Sequence, residues 1–143
     1  MTNLDSLKIE IKDFIQNSID RFIKENGKPN SIGIYCNPSS GWLTTNFNNE
    51  KSLKDAGNNC PDFDYVEFDL HEIPQLEEEY ENESPNFEIE EKKIIHEHDL
   101  GDEHLNTIFF NYLKPILKDI KIKNSFEFLL QMLDSKNVEI IED

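Results

Sequence analysis

Arginine is almost missing from this chain: Arg21 stands alone among 143 residues. Phosphate recognition needs clustered Lys and Arg, and only fourteen basic residues face thirty acidic ones, for a net charge of −16. That balance excludes nucleic acid as a direct ligand and disfavours anionic membrane surfaces. Long hydrophobic runs are absent, so no segment is expected to span a bilayer. The opening Met1-Thr2-Asn3-Leu4-Asp5 has neither the basic nor the apolar part of a signal peptide. Cysteine is scarce: Cys36 and Cys60 are the only two and form no Cys-x-x-Cys pair. A disulfide scaffold and a thiolate zinc site are therefore not expected, and a reducing cytoplasm is. The five glycines are scattered and build no phosphate loop. Ser39-Ser40-Gly41 lacks the Gly-x-Ser-x-Gly elbow of a serine nucleophile. With no catalytic motif and no cofactor motif, the expectation is a binding protein rather than an enzyme.

What the chain has in excess is acid, and the acid is concentrated. Residues 62 to 103 hold seventeen Asp or Glu against two bases, Lys92 and Lys93, while the remainder is close to neutral. Self-repulsion of this density opposes folding, so such a block serves solubility or a cationic partner. The densest run is Glu77-Glu78-Glu79-Tyr80-Glu81-Asn82-Glu83. It offers Glu77, Glu78, Glu79, Glu81 and Glu83 to Lys or Arg of a basic protein. Tyr80 is placed to anchor, and Asp62 and Asp64 to extend the surface. A solvated face that keeps the protein soluble is the plain alternative.

Apolar spacing describes one α+β domain over residues 1–143. Leu4, Leu7, Ile11, Phe14, Ile15, Ile19, Phe22 and Ile23 make a helical stripe over 4–25, stopped by Asn26-Gly27 and Pro29. Strands are expected at 31–36 and 42–47, joined through Pro38-Ser39-Ser40-Gly41 as a hairpin, with Trp42 closing one end of the core. A short helix follows over 49–55, then a strand over 63–70. Residues 77–83 lack an apolar stripe and read as a solvated helix or loop, and 87–96 as an extended segment. A second long helix starts at Asp99 or Asp102, with Pro115 expected to kink or end it. Phe126, Phe128, Leu129, Leu130, Met132 and Leu133 suggest another amphipathic helix, and Val138–Ile141 a final strand. The resulting fold is an antiparallel sheet, including a hairpin, packed against long amphipathic helices.

One cluster has metal-ligand chemistry: His96-Glu97-His98-Asp99 with Asp102 and His104. In an extended chain, alternation sets His96 and His98 on one side, with a third ligand available from Asp102, His104 or His71. That would make a metal-dependent hydrolase. The spacing departs from His-Glu-x-x-His, and an acidic stretch before a helix is equally what capping requires.

The segment Ile32-Gly33-Ile34-Tyr35-Cys36-Asn37-Pro38, followed by Gly41-Trp42-Leu43-Thr44-Thr45-Asn46-Phe47, resembles the early hairpin of small acidic bacterial immunity proteins. These belong to polymorphic-toxin and contact-dependent growth inhibition systems, and the likeness covers residues 31–57. It implies a cytoplasmic protein that binds a cognate toxin domain, often a basic nuclease, and blocks its active site or substrate groove. A nonspecific acidic adaptor or DNA-mimic module is the remaining reading of the same charge.

Overall fold

In the computed structural model, which describes residues 1–142, a two-residue strand β1 (Thr2–Asn3) leads through a 3₁₀ turn into helix α1 (Lys8–Asn26). Ile11, Ile15, Ile19 and Phe22 of α1 are buried, as their spacing requires. Gly27, at φ +83°, ends the helix by donating its N–H to the Ile23 carbonyl at 2.8 Å. The expected hairpin forms from β2 (Ser31–Asn37) and β3 (Trp42–Asn48), in register from Ser31↔Asn48 to Asn37↔Trp42. Then come β4 (Tyr65–Glu72), α2 (Pro74–Tyr80), the hairpin β5 (Asn86–Ile89) and β6 (Lys92–Ile95), α3 (Asp102–Ile122), β7 (Glu127–Met132) and β8 (Val138–Ile141). Five strands form one sheet in the order β4-β3-β2-β7-β8, and β1-β5-β6 form a smaller one.

The fold class is α+β, with two corrections to the sequence reading. Residues 127–132 are a strand, not a helix, and the large sheet is mixed because β7 runs parallel to β2. The apolar run misleads because β7 is covered on both faces. Phe128, Leu130 and Met132 join the main core, while Leu129 packs into a second cluster with Leu53, Ala56, Cys60 and Phe63. A strand buried on both sides reads as a continuous apolar run, which a helical period fits as well.

Three smaller expectations also change. No helix forms over 49–55; the segment makes turns, with Ala56 N–H bonded to the Ser52 carbonyl at 3.1 Å. Residues 77–83 are not simply solvated, since α2 buries Leu76 and Glu79. Nor does Pro115 end α3, which continues to Ile122. A proline inside a helix costs about 3 kcal/mol. Beyond it Ile116, Leu117 and Ile120 are buried, and at about 2 kcal/mol per buried side chain the packing wins.

Both long helices lie on the same side of the large sheet: Phe22 of α1 stacks on Phe47 of β3 at 4.1 Å, and α3 supplies Leu113, Ile116 and Leu117 to the same core. The opposite face is closed by the 53–63 segment. Its approach depends on Gly33, where a Cβ would meet Cys60 Sγ at 2.6 Å and the Phe63 ring at 2.9 Å. Both cysteines are buried and unpaired, and burial pushes the Cys36 thiol up to about 12. Gly33→Ala is expected to lower unfolding stability by about 1–3 kcal/mol through overpacking. Adding Cys60→Ala should recover part of that loss in urea melts. A neutral Gly33→Ala would show that the second cluster is not tightly packed.

Candidate partner-binding surface

The acidic segment is divided between two places. Its first part is β4, the edge strand of the large sheet, where Val66 and Leu70 are exposed beside Glu67 and Glu72. Its second part builds a unit of α2, the β5–β6 hairpin, a 3₁₀ turn at His98–Leu100 and the start of α3.

Glu79 holds this second unit together. The side chain is only 4% exposed, and its carboxylate takes the Met1 amino group at 3.2 Å and the Thr2 hydroxyl at 3.0 Å. The Asn82 side-chain amide (2.8 Å) and the Asn86 backbone N–H (3.2 Å) complete its shell. Burial alone would raise its pKa, but the bonds from Asn82, Asn86, the amino group and Thr2 together hold it below the ordinary 4.5. One carboxylate thus joins β1, α2 and β5. It is a structural group and is not available to a partner.

Other carboxylates from the segment are also committed internally. Asp64 accepts the backbone N–H groups of Lys51 (2.9 Å), Glu50 (3.0 Å) and Asn49 (3.1 Å), and these bonds, Lys51 first, lower its pKa. Asp69 pairs with Arg21. Glu103 accepts bonds from Ser135, Lys136 and Asn137, closing the β7–β8 turn onto α3. Tyr80 donates its hydroxyl to Asp102 while its ring packs against His96 and His98, so it is part of the scaffold. Asp62 is exposed and accepts a bond from the Asn59 amide at 3.0 Å.

That leaves Glu77, Glu78, Glu81 and Glu83. All four are exposed, and among the described residues none of their side chains makes a hydrogen bond or ion pair. Geometry explains their direction: Leu76 and Glu79, three apart, face inward, which turns Glu77, Glu78 and Glu81 outward. Glu77 lies in the first turn of α2, where a helix dipole favours negative charge, whereas Glu81 and Glu83 follow its C-terminal end, where the dipole disfavours it. Glu90, Glu91 and Glu97 on the neighbouring hairpin and turn are likewise exposed.

The histidines do not form the expected ligand pair. β6 ends at Ile95, and His98 starts a 3₁₀ turn, so strand alternation no longer applies. His96 turns its Nδ1 to His104 Nδ1 at 3.0 Å, whereas His98 Nε2 donates to the Asn82 carbonyl at 2.8 Å. His71 sits elsewhere, stacked on Phe14 of α1 at 4.9 Å. Among the described residues no three His, Cys, Asp or Glu are placed to hold one metal ion.

Sequence reasoning missed a cleft of about 470 Å³ between α1, the β5–β6 hairpin and α3. Ile89, Ile94, Ile108 and Ile116 line it, with Lys8 and Lys12 at its margin. No sequence signal marks it, because each wall comes from a different element.

Replacing Glu79 by Gln should cost about 2 kcal/mol near neutral pH, since bonds to a charged acceptor become bonds to a neutral one. A carboxyl held below 4.5 contributes stability that is present above that value and is lost as pH falls through the lowered one. The difference between wild type and Glu79→Gln should therefore shrink in acid. A pH-independent difference in urea midpoints would contradict the assignment. Comparison with protein-family models, curated proteins and solved structures finds no match to this chain.

Proposed function

We propose that this protein is an immunity-type binder that neutralises a basic toxin domain, of which a nuclease is the favoured kind, by covering its active site or substrate groove. The observation that carries this reading is the row of Glu77, Glu78, Glu81 and Glu83, exposed and without internal partners on a helix and the turn that follows it, both pinned from beneath by Glu79. Four unneutralised carboxylates on one short stretch are unfavourable for the free protein and favourable once Lys or Arg arrives. In such a complex they take the place of nucleic-acid phosphates. Asp62 and Asp64 belong to the 49–64 region and stand apart from this row, while Glu79 and Tyr80 position it from within. The β2–β3 hairpin supports the resemblance to immunity proteins, although 49–55 forms turns where those proteins carry a short helix.

Binding of this kind needs no catalytic residue and no cofactor. Steering by the acidic face raises association rates to about 10⁸ M⁻¹s⁻¹ at low salt. A cytoplasmic location fits two free cysteines. No helix among the described residues is long and apolar enough to cross a membrane. A nonspecific acidic adaptor is the competing reading, and it differs in treating all basic proteins alike.

The test is a four-site reversal, Glu77, Glu78, Glu81 and Glu83→Lys, assayed against the product of the neighbouring reading frame. Affinity is expected to drop by roughly 100-fold or more at low salt, with a flattened salt dependence and loss of protection in cells. Unchanged affinity would remove the acidic row as the binding surface. Equal affinity of the wild type for unrelated basic proteins would favour the adaptor.

A further inference from the structure

Three of the chain's four histidines meet where α2, the end of β6 and the start of α3 converge. His96 is fully buried and tied by its backbone N–H to the Pro85 carbonyl at 2.8 Å. Its ring stacks on His104 with centroids 5.3 Å apart and planes 16° from parallel, and the two Nδ1 atoms face each other at 3.0 Å. At that distance one nitrogen must donate and the other must present a lone pair. The pair holds one shared proton well and two badly: a second sets N–H against N–H between stacked cations, with the His98 ring 5.5 Å away.

We propose that the His96–His104 pair is a proton-operated latch. With one proton between the facing Nδ1 atoms it fastens the end of β6 to α3, and through Tyr80 and Asn82 to α2. With a second proton it opens and loosens residues 80–101.

Every element around His96 bears on the balance. From α2 and its turn come the Tyr80 ring at 6.0 Å and the Asn82 carbonyl that takes the His98 N–H. The 3₁₀ turn brings His98 and Asp99, and α3 brings His104 and Asp102, the latter occupied by the Tyr80 hydroxyl. Burial first, then His104 and His98, push the His96 imidazole below its ordinary 6.5, against the opposing pull of Asp102 and Asp99. The Nε2 of His96 is buried without a partner, so a charged ring would carry an N–H with nothing to receive it. The unfolded segment therefore takes its proton first. The latch contributes fully above 6.5 and is lost as pH falls below it toward the lowered value. Glu79 and Glu103, held below 4.5, titrate in a separate and more acid window.

The latch is independent of any partner, and so is its test. Hydrogen exchange on the full chain is compared at about pH 7.5 and about pH 5.5, after correction for intrinsic exchange. Protection of amides in 80–86 and 92–101 should fall by roughly tenfold at the lower pH, while β2 and β7 stay unchanged. In His104→Gln the amide does not titrate and can turn its oxygen to a protonated His96 Nδ1, which leaves only the buried Nε2 unmet, so the acid loss of protection should be clearly smaller than in the wild type. Imidazole ¹⁵N shifts of the wild type at neutral pH should show one of the two facing Nδ1 atoms protonated and the other bare. Equal wild-type protection at both pH values, equal acid loss in His104→Gln, or two bare Nδ1 atoms would each overturn the proposal.

Discussion

A buried carboxylate, Glu79, is the interaction on which the acidic half of the molecule depends. Burying an unpaired charge costs several kcal/mol, and this one is tolerable only because four donors from three segments converge on it. The convergence has a structural consequence. α2 is seven residues long and brings Leu76 and the partly buried Tyr80 as its apolar contacts, too little to hold a helix in water. The strand at Thr2–Asn3 is already paired with the strand at Asn86–Ile89, and Glu79 ties the helix at Pro74–Tyr80 to that pair. With it, the outer glutamates of α2 are held in a defined row.

The same arrangement separates two uses of acid in one continuous segment. Asp64, Asp69, Glu79 and Glu103 are structural, each satisfied by backbone N–H groups, a guanidinium or neighbouring side chains. Glu77, Glu78, Glu81 and Glu83 are left to solvent. The first set repays its charge within the fold, and the second does not. An acidic protein therefore need not be uniformly adhesive to cations: some of its carboxylates along this segment are silent while others remain available.

How much of this was legible in the sequence follows from the range of the forces concerned. Helix α1, the β2–β3 hairpin and most of α3 were readable because their apolar periods and turn residues are local. The strand at Glu127–Met132 was not, since Leu129 owes its burial to Cys60 and Phe63, far away in the chain. Pro115 looked like a helix stop because its lost hydrogen bond is local, while the burial of Ile116 and Ile120 that outweighs it is tertiary. In the candidate site, the acidic run itself was evident. The division within it was not, because Glu79 differs from Glu78 only in which side of a short helix it occupies. The histidines were misread for a related reason: an extended backbone was assumed up to His98, and the strand stops at Ile95.

The central claim is that the outward row on α2 is a docking surface for a basic protein domain. Backbone amide shift mapping of the ¹⁵N-labelled chain, titrated with the product of the neighbouring reading frame, tests that claim most directly. The account requires the perturbed amides to cluster in residues 74–83 and the adjoining β5–β6 hairpin, and the shifts to fade as salt is raised. Perturbation centred instead on the Leu53–Phe63 face or on β8, with the α2 amides unmoved, would contradict it.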